Sequence, residues 1–250
     1  MMADITCLQL DVGNSSVKWR LVNSDGECRR GQYLADDPVS REAFLGCTDA
    51  VDAIWISSVA SADAEATLQA LLHERWGISP WFARTEAKTG DLVNSYTDPA
   101  RMGVDRWLAM LGARARSEAR ICVVDVGSAL TIDLVSADGR HEGGYIIPGS
   151  DLMERSLLSD TGRVRFDEAA DYALVPGRST AEAVRHGIAV AQVGAVALVL
   201  EQALEQVGVA PALFFCGGGA QAVMTGLGGA GELCPDLVFE GLAVMAGLRD

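Results

Sequence analysis

The sequence is poor in the residues that hold metals and nucleic acids. Only three histidines occur in 250 residues. The six cysteines, at 7, 28, 47, 122, 216 and 234, form no Cys-x-x-Cys pair and have no histidine in ligand spacing. A zinc site is therefore not expected. Cys7, Cys122 and Cys216 sit in apolar, strand-like runs and read as core thiols. Basic residues are scarce too, with 20 Lys and Arg against 34 Asp and Glu, for a formal net charge of -14. Nucleic-acid binding needs a basic face to neutralise phosphates, so none is expected, and a nucleotide ligand would need a cation and a few local donors. The start "MMADITCLQLDV" lacks a basic region followed by a long apolar segment. The longest apolar stretch, "GIAVAQVGAVALVL", is short for a bilayer and is broken by Gln192 and glycines. These absences lead to the expectation of a soluble cytoplasmic protein with no membrane partner. No linker of low complexity occurs either.

What the chain does have is a large apolar fraction, 49% with 22% charged, enough for one large core or two small ones. It also has an internal echo. "LQLDVGNSSVKWRLVNSDG" at 8–26 returns as "CVVDVGSALTIDLVSADG" at 122–139. Each copy is an apolar run, Asp-Val-Gly, small hydroxylated residues, then an alternating run closed by Asp-Gly, which is the pattern of a β-hairpin. Such a hairpin brings Asp11 or Asp125 to a strand end. Gly13 or Gly127 lets the backbone turn closely, and Asp25-Gly26 or Asp138-Gly139 closes the next turn. The small residues Asn14, Ser15, Ser16, Ser128 and Ala129 leave N–H groups and hydroxyls uncovered, a pocket for phosphate oxygens. A single Asp-x-Gly is most often only a turn. Two copies half a chain apart imply a duplicated unit, with the cleft between the halves as the default ligand site.

The remaining pattern is α/β. A strand at 53–60 precedes a helix whose Leu68, Leu71, Leu72 and Trp76 share one face and which ends at Gly77; "ISPWFAR" is a further short strand. Residues 85–103 are loop-like, and "GVDRWLAMLGARARSEA" turns helical with Asp105 and Arg106 at its start, where an acidic residue can equally be a cap. A helix starts near Ser150. The longest helix is opened by Ser179-x-x-Glu182 as a capping box, and its Gly187, Ala191, Gly194 and Ala195 suit close helix packing, either internal or in a dimer seam. "ALFFCGGGAQAV" is a strand, a glycine turn and a helix start, suited to a ring or phosphate near backbone. The domains expected are 1–117 and 118–250, joined by "ARSEAR". Lys18 could reach phosphate oxygens or be a solvated strand lysine, and Asp11 suits magnesium through water.

Together, "DVGNSSVK", "GVDRWLA", "DVGSALTIDLV" followed by "GGYIIPG", and "STAEAVRHG" resemble the type III pantothenate kinases over nearly the whole chain. The Asp-x-Gly hairpin is shared by the acetate kinase, sugar kinase, heat-shock protein and actin superfamily; Gly-x-Asp-Arg between the copies resembles this family in particular. The resemblance implies duplicated ribonuclease-H-like domains with a cleft between them, and ATP-dependent phosphorylation of pantothenate to 4'-phosphopantothenate at the start of coenzyme A biosynthesis. It implies a nucleotide site at Asp11, Val12, Gly13, Asn14, Ser15, Ser16, Val17, Lys18 and Ser128, with magnesium accompanying ATP. Asp105 becomes the general base. Tyr96, Gly103, Val104, Asp105, Arg106 and Thr180 become substrate contacts, Arg106 offering a planar donor fork. Asp125 takes a monovalent cation, potassium or ammonium, and the family is typically a homodimer whose second protomer helps close the substrate site. Two departures stand out: Ser128 where the family usually has threonine, and "CGGGA" without the usual acidic residue after the paired glycines, which weak ATP affinity would fit. The alternatives are a kinase of another small hydroxylated metabolite and a non-catalytic ATP-binding regulatory protein.

Overall fold

The computed structural model describes residues 6–13, 16–23, 26, 28–34, 37–160, 165–166 and 168–248. The chain forms two compact units, Met1–Arg116 with Asp236–Asp250, and Ser117–Pro235.

In the first unit β1 (Cys7–Val12), β2 (Val17–Val22) and β3 (Cys28–Tyr33) form an antiparallel meander, as the hairpin pattern requires. After α1 (Pro38–Leu45), β4 (Ala53–Ser58) pairs parallel to β1 on its open side. After α2 (Ala62–Trp76), β5 (Trp81–Phe82) pairs parallel to β4, giving the order β3-β2-β1-β4-β5. Parallel pairing needs a crossover, and these helices supply it. Both have legible ends. Asp37 accepts from the amides of Val39 and Ser40 ahead of Pro38; Ser61 accepts from Ala64 N, and Gly77 closes α2 at φ 71°. The core between sheet and helices holds Leu8, Leu10, Ile54, Ile56, Phe44 and Leu72, with Phe44 stacked on Tyr33 at 4.8 Å. A two-residue hairpin, β6 (Lys88–Thr89) with β7 (Leu92–Val93), and a 3-10 turn at Pro99–Arg101 lead into α3 (Val104–Arg116).

The second unit repeats the plan. β8 (Ile121–Val126), β9 (Ala129–Val135) and β10 (His141–Pro148) form the meander, α4 (Ser150–Asp160) and α5 (Thr180–Val207) follow, and β11 (Ala212–Cys216), α6 (Ala220–Gly226) and β12 (Glu232–Leu233) complete the order β10-β9-β8-β11-β12. Its core is Cys122, Val124, Leu130, Ile132, Phe215, Val196 and Val199. The expected core thiols are buried, and burial pushes Cys7 and Cys122 up to about 12.

Three expectations need correction. The second domain was expected to run to residue 250, but α7 (Leu237–Gly247) returns to the first unit. It packs on α3 so closely that a Cβ added at Gly241 would overlap Leu108 O, and one at Gly112 would overlap Leu237 O. Asp236, just before α7, pairs with Arg30 at 3.0 Å and Arg20 at 3.5 Å. A local pattern cannot reveal such a return, because the partners lie 124 to 206 residues away, as Arg116–Glu240 and Arg30–Asp236 do. The α5 capping box is also altered: Ser179 accepts from Glu182 N, but Glu182 accepts from Arg178 N, one residue before the cap. Finally, α5 as a 28-residue whole is long and apolar enough to cross a membrane by length and composition, although Val196 and Val199 pack in the sheet core.

Candidate active site

In the first unit the phosphate-turn candidate lies between β1 and β2. Gly13 N donates to Ser16 O at 3.1 Å. Asn14 and Ser15 lie outside the described residues. Asp11 stands at the strand end with Lys18 opposite it on β2 and Ser57 beside it on β4. Lys18 is exposed. The Ser57 hydroxyl, fully buried, donates to Asp11 Oδ1 at 3.0 Å. Val12 and Val17 are buried and hold the two strands together behind the turn.

A second group gathers where α3 begins. Asp105 lies in its first turn, half-buried, and its Oδ1 accepts from Arg106 N at 2.8 Å. Gly103 is needed there because a Cβ would sit 2.5 Å from that carboxylate oxygen. Val104 is buried under the turn. Arg106 is buried as well; it donates through Nη1 to the Tyr96 hydroxyl at 3.0 Å and lies over the Tyr96 ring at 5.9 Å. Tyr96 is itself held by the Asn94 side chain, which accepts from Tyr96 N at 2.9 Å. Tyr96, Gly103, Val104, Asp105 and Arg106 are thus one constellation. Its chemistry is a carboxylate of fixed orientation beside a cation and a phenol.

In the second unit Asp125 is the last residue but one of β8, between Thr131 on β9 and Cys216 on β11. The following turn is wrapped by glycines. Gly149 N donates to Ser128 O at 3.1 Å, and a Cβ there would overlap Gly127 O and Ser128 O. Gly217, at φ +88°, lies so close that a Cβ would overlap both Asp125 Oδ1 and Val126 O. Ser150, at the start of α4, donates to Gln192 on α5 at 3.0 Å, which anchors the chain just beyond the turn. Thr180 is exposed at the first turn of α5. It lines an apolar cavity of about 1250 Å³ with Leu152, Met153, Leu157 and Val184. Among the described residues no group of three or more His, Cys, Asp or Glu could hold a metal ion. Magnesium near Asp11 would thus take most of its ligands from water and nucleotide phosphates, as this ion commonly does.

Sequence reasoning missed Ser57, Asn94 and Gln192. The strand "AIWISSVA" was legible, but its pairing with β1, which puts Ser57 beside Asp11, was not.

The repeated sheet order and the paired Asp-Val-Gly turns define the actin-like and sugar-kinase fold class. A Campylobacter jejuni structure, described as of the Baf family of transcriptional activators, matches with a TM-score of 0.61 at 20% identity, over 97% of this chain and 98% of that one. A Sinorhizobium meliloti structure described as a 2-dehydro-3-deoxygalactonokinase matches with a TM-score of 0.57 at 14% identity, over 96% and 97%. Within that class the sequence is more specific. A profile for type III pantothenate kinase matches residues 7–202, and the type III pantothenate kinase of Chromohalobacter salexigens is 41% identical over 239 residues, 94% of this chain and 85% of that protein. The chain belongs to the type III pantothenate kinase family.

Proposed function

We propose that the chain transfers the γ-phosphoryl group of ATP to pantothenate, giving 4'-phosphopantothenate and ADP at the start of coenzyme A biosynthesis. Within a chain of this family, the observation that carries the reading is the start of α3, where Asp105, Arg106 and Tyr96 stand together. Phosphoryl transfer asks the protein mainly for positioning and charge neutralisation, plus an acceptor for the alcohol proton. Asp105 takes that proton as the hydroxyl oxygen bonds to the γ-phosphorus and the bond to the β,γ-bridging oxygen breaks. Its bond from Arg106 N keeps the carboxylate aimed while the proton arrives. Arg106 and Tyr96 bind the anionic and hydroxyl groups of pantothenate, with Gly103 and Val104 forming the wall; Thr180 is a separate substrate-contact candidate of the second unit.

The turn from Val12 to Val17 and Lys18 hold the nucleotide phosphates in the first unit. In the second, Ser128 donates to phosphate and Asp125 holds potassium or ammonium. Magnesium, when bound near Asp11, neutralises the nucleotide's phosphate oxygens. The protein works in the cytoplasm as a homodimer seated on the outer face of α5. Two features support this seam: Val190 and Leu198 are 52% and 53% exposed, and a Cβ added at Gly187 or Gly194 would meet nothing within 4 Å.

The test is ATP-dependent phosphorylation by the purified protein with magnesium, in sodium, potassium and ammonium buffers, across pantothenate and a panel of small hydroxylated acids and sugars. The expected result is pantothenate turnover that requires potassium or ammonium. Turnover of another acceptor alone, or nucleotide binding without turnover, would reject the assignment.

A further inference from the structure

Asp11 is held from the side by a residue that none of the motifs contains. β4 runs parallel to β1 and sets Ser57 beside Asp11, while antiparallel β2 sets Lys18 on the other side. Ser57 is fully buried, and its hydroxyl donates to Asp11 Oδ1 at 3.0 Å. An ionised carboxylate only accepts, so the direction of this bond is fixed. A hydrogen bond to a charged acceptor is stronger than a neutral one, and pinning one oxygen against β4 fixes the carboxylate plane and hence where the second oxygen points. The second repeat offers an internal contrast. Its strand-end aspartate, Asp125, has Cys216 at the matching position on β11, and a thiol is only a weak donor. On the parallel neighbour, then, Asp11 meets a serine hydroxyl and Asp125 a cysteine.

We infer that Ser57 is a positioning residue of the kinase: it holds the Asp11 carboxylate in the orientation that meets the nucleotide's magnesium. This rests on the reading of Asp11 as the magnesium-facing residue. Magnesium is a demanding test of orientation because it requires near-octahedral oxygen geometry, whereas a larger monovalent ion tolerates a looser carboxylate.

The experiment is calorimetric titration of the full-length protein with ADP, with and without magnesium, on the parent, Ser57→Ala, Ser57→Thr and Asp11→Asn, with thermal unfolding of each. The ratio of the two ADP affinities isolates the magnesium-dependent part of binding and does not depend on turnover. Ser57→Ala is expected to lower that ratio by about tenfold, the size of a lost hydrogen bond to a charged group, with ADP affinity in the absence of magnesium nearly unchanged. Ser57→Thr, which keeps the hydroxyl, is expected to retain the ratio. A Ser57→Ala protein that melts earlier yet keeps the parent ratio would overturn the proposal, as would a Ser57→Thr protein that loses it while remaining folded. If Asp11→Asn also keeps the parent ratio, the magnesium reading of Asp11 fails and takes the role of Ser57 with it. A shift with Asp11→Asn but not with Ser57→Ala rejects Ser57 alone.

Discussion

β1 and β8 each end in Asp-Val-Gly, each lies at the centre of a five-stranded sheet, and each has an antiparallel partner on one side and a parallel one on the other. Their neighbours differ. Asp11 lies between Lys18 and Ser57, a cation and a hydroxyl donor; Asp125 lies between Thr131 and Cys216. The turns after the parallel strands differ as well. In the first unit Val59 N donates to Val12 O. In the second it is Gly219, one residue further along, that donates to Val126 O, the extra step taken through Gly217 at positive φ. The helices that follow diverge too: α3 carries Asp105 in its first turn beside Arg106, whereas α7 is preceded by Asp236, engaged by Arg20 and Arg30. Duplication supplied one backbone twice. What differs around the two aspartates is the set of side chains contributed from neighbouring strands.

The largest expected effect separates the two helix starts. Asp105→Asn should reduce turnover by about 10²-fold or more while leaving nucleotide binding and melting temperature near those of the parent, because it removes a proton acceptor and keeps the shape. Asp236→Asn should do the reverse, lowering stability by about 1 kcal/mol with turnover retained. Steady-state kinetics and thermal unfolding of the two variants check this, and near-normal turnover of Asp105→Asn would return Asp105 to a helix-cap role.

Next comes the glycine contrast. Gly217→Ala meets Asp125 Oδ1 and Val126 O at a positive φ, and is expected to cost about 3 kcal/mol and to weaken the potassium dependence of activity. At Gly13 an added Cβ is 3.4 Å from Ser16 O, so Gly13→Ala should cost less than about 1 kcal/mol. Denaturant titration compares the two, and equal costs would remove the distinction between the turns.

A smaller effect separates the ion pairs of the two units by pH. The Arg84 guanidinium beside Glu65 in the first unit, and Arg185 beside Glu154 in the second, each hold their glutamate below the usual carboxylate range. Each pair stabilises the fold above the ordinary glutamate value of 4.5, and that contribution is lost as pH falls through the lowered folded value. The Glu154 cluster of the second unit also has an alkaline limb. Burial, then the hydrogen bond to Glu154, pushes Tyr172 up to about 12, so its contribution holds below the ordinary 10.0 and fades as pH rises through the folded value. Glu154→Gln is expected to flatten both limbs by about 1 kcal/mol or less, whereas Glu65→Gln should touch only the acid limb. Melting temperatures across pH distinguish them.

The smallest effect concerns two glycines on helices. Gly241 is pressed on Leu108 O, but Gly194 faces open space. Gly194→Ala should stabilise the chain by about 0.5–1 kcal/mol through helix propensity. Gly194→Leu should shift a dimer to monomer in sedimentation if α5 is the seam.

Much of this was legible beforehand because it is local. The two hairpins follow from alternation and small turn residues; the helix ends at Gly77 and Ser179 follow from residue type, and Asp105-Arg106 falls at a helix start because the apolar periodicity begins there. The Tyr96–Arg106 contact was not legible, since nothing in a loop's composition says which side chain folds back on a helix ten residues later. The return of α7 was hidden for the same reason.

The sequence by itself determined the repeat, several of the strands and helices, the phosphate-turn candidates and the family, all of which depend on residues close together in the chain, where periodicity and turn chemistry act. Tertiary structure alone decided that Ser57 and Lys18 flank Asp11, that Gly217 closes over Asp125, and that Asp236–Asp250 joins the first unit. Those outcomes depend on strand register and on burial of distant apolar faces, which become definite only when the whole core is packed.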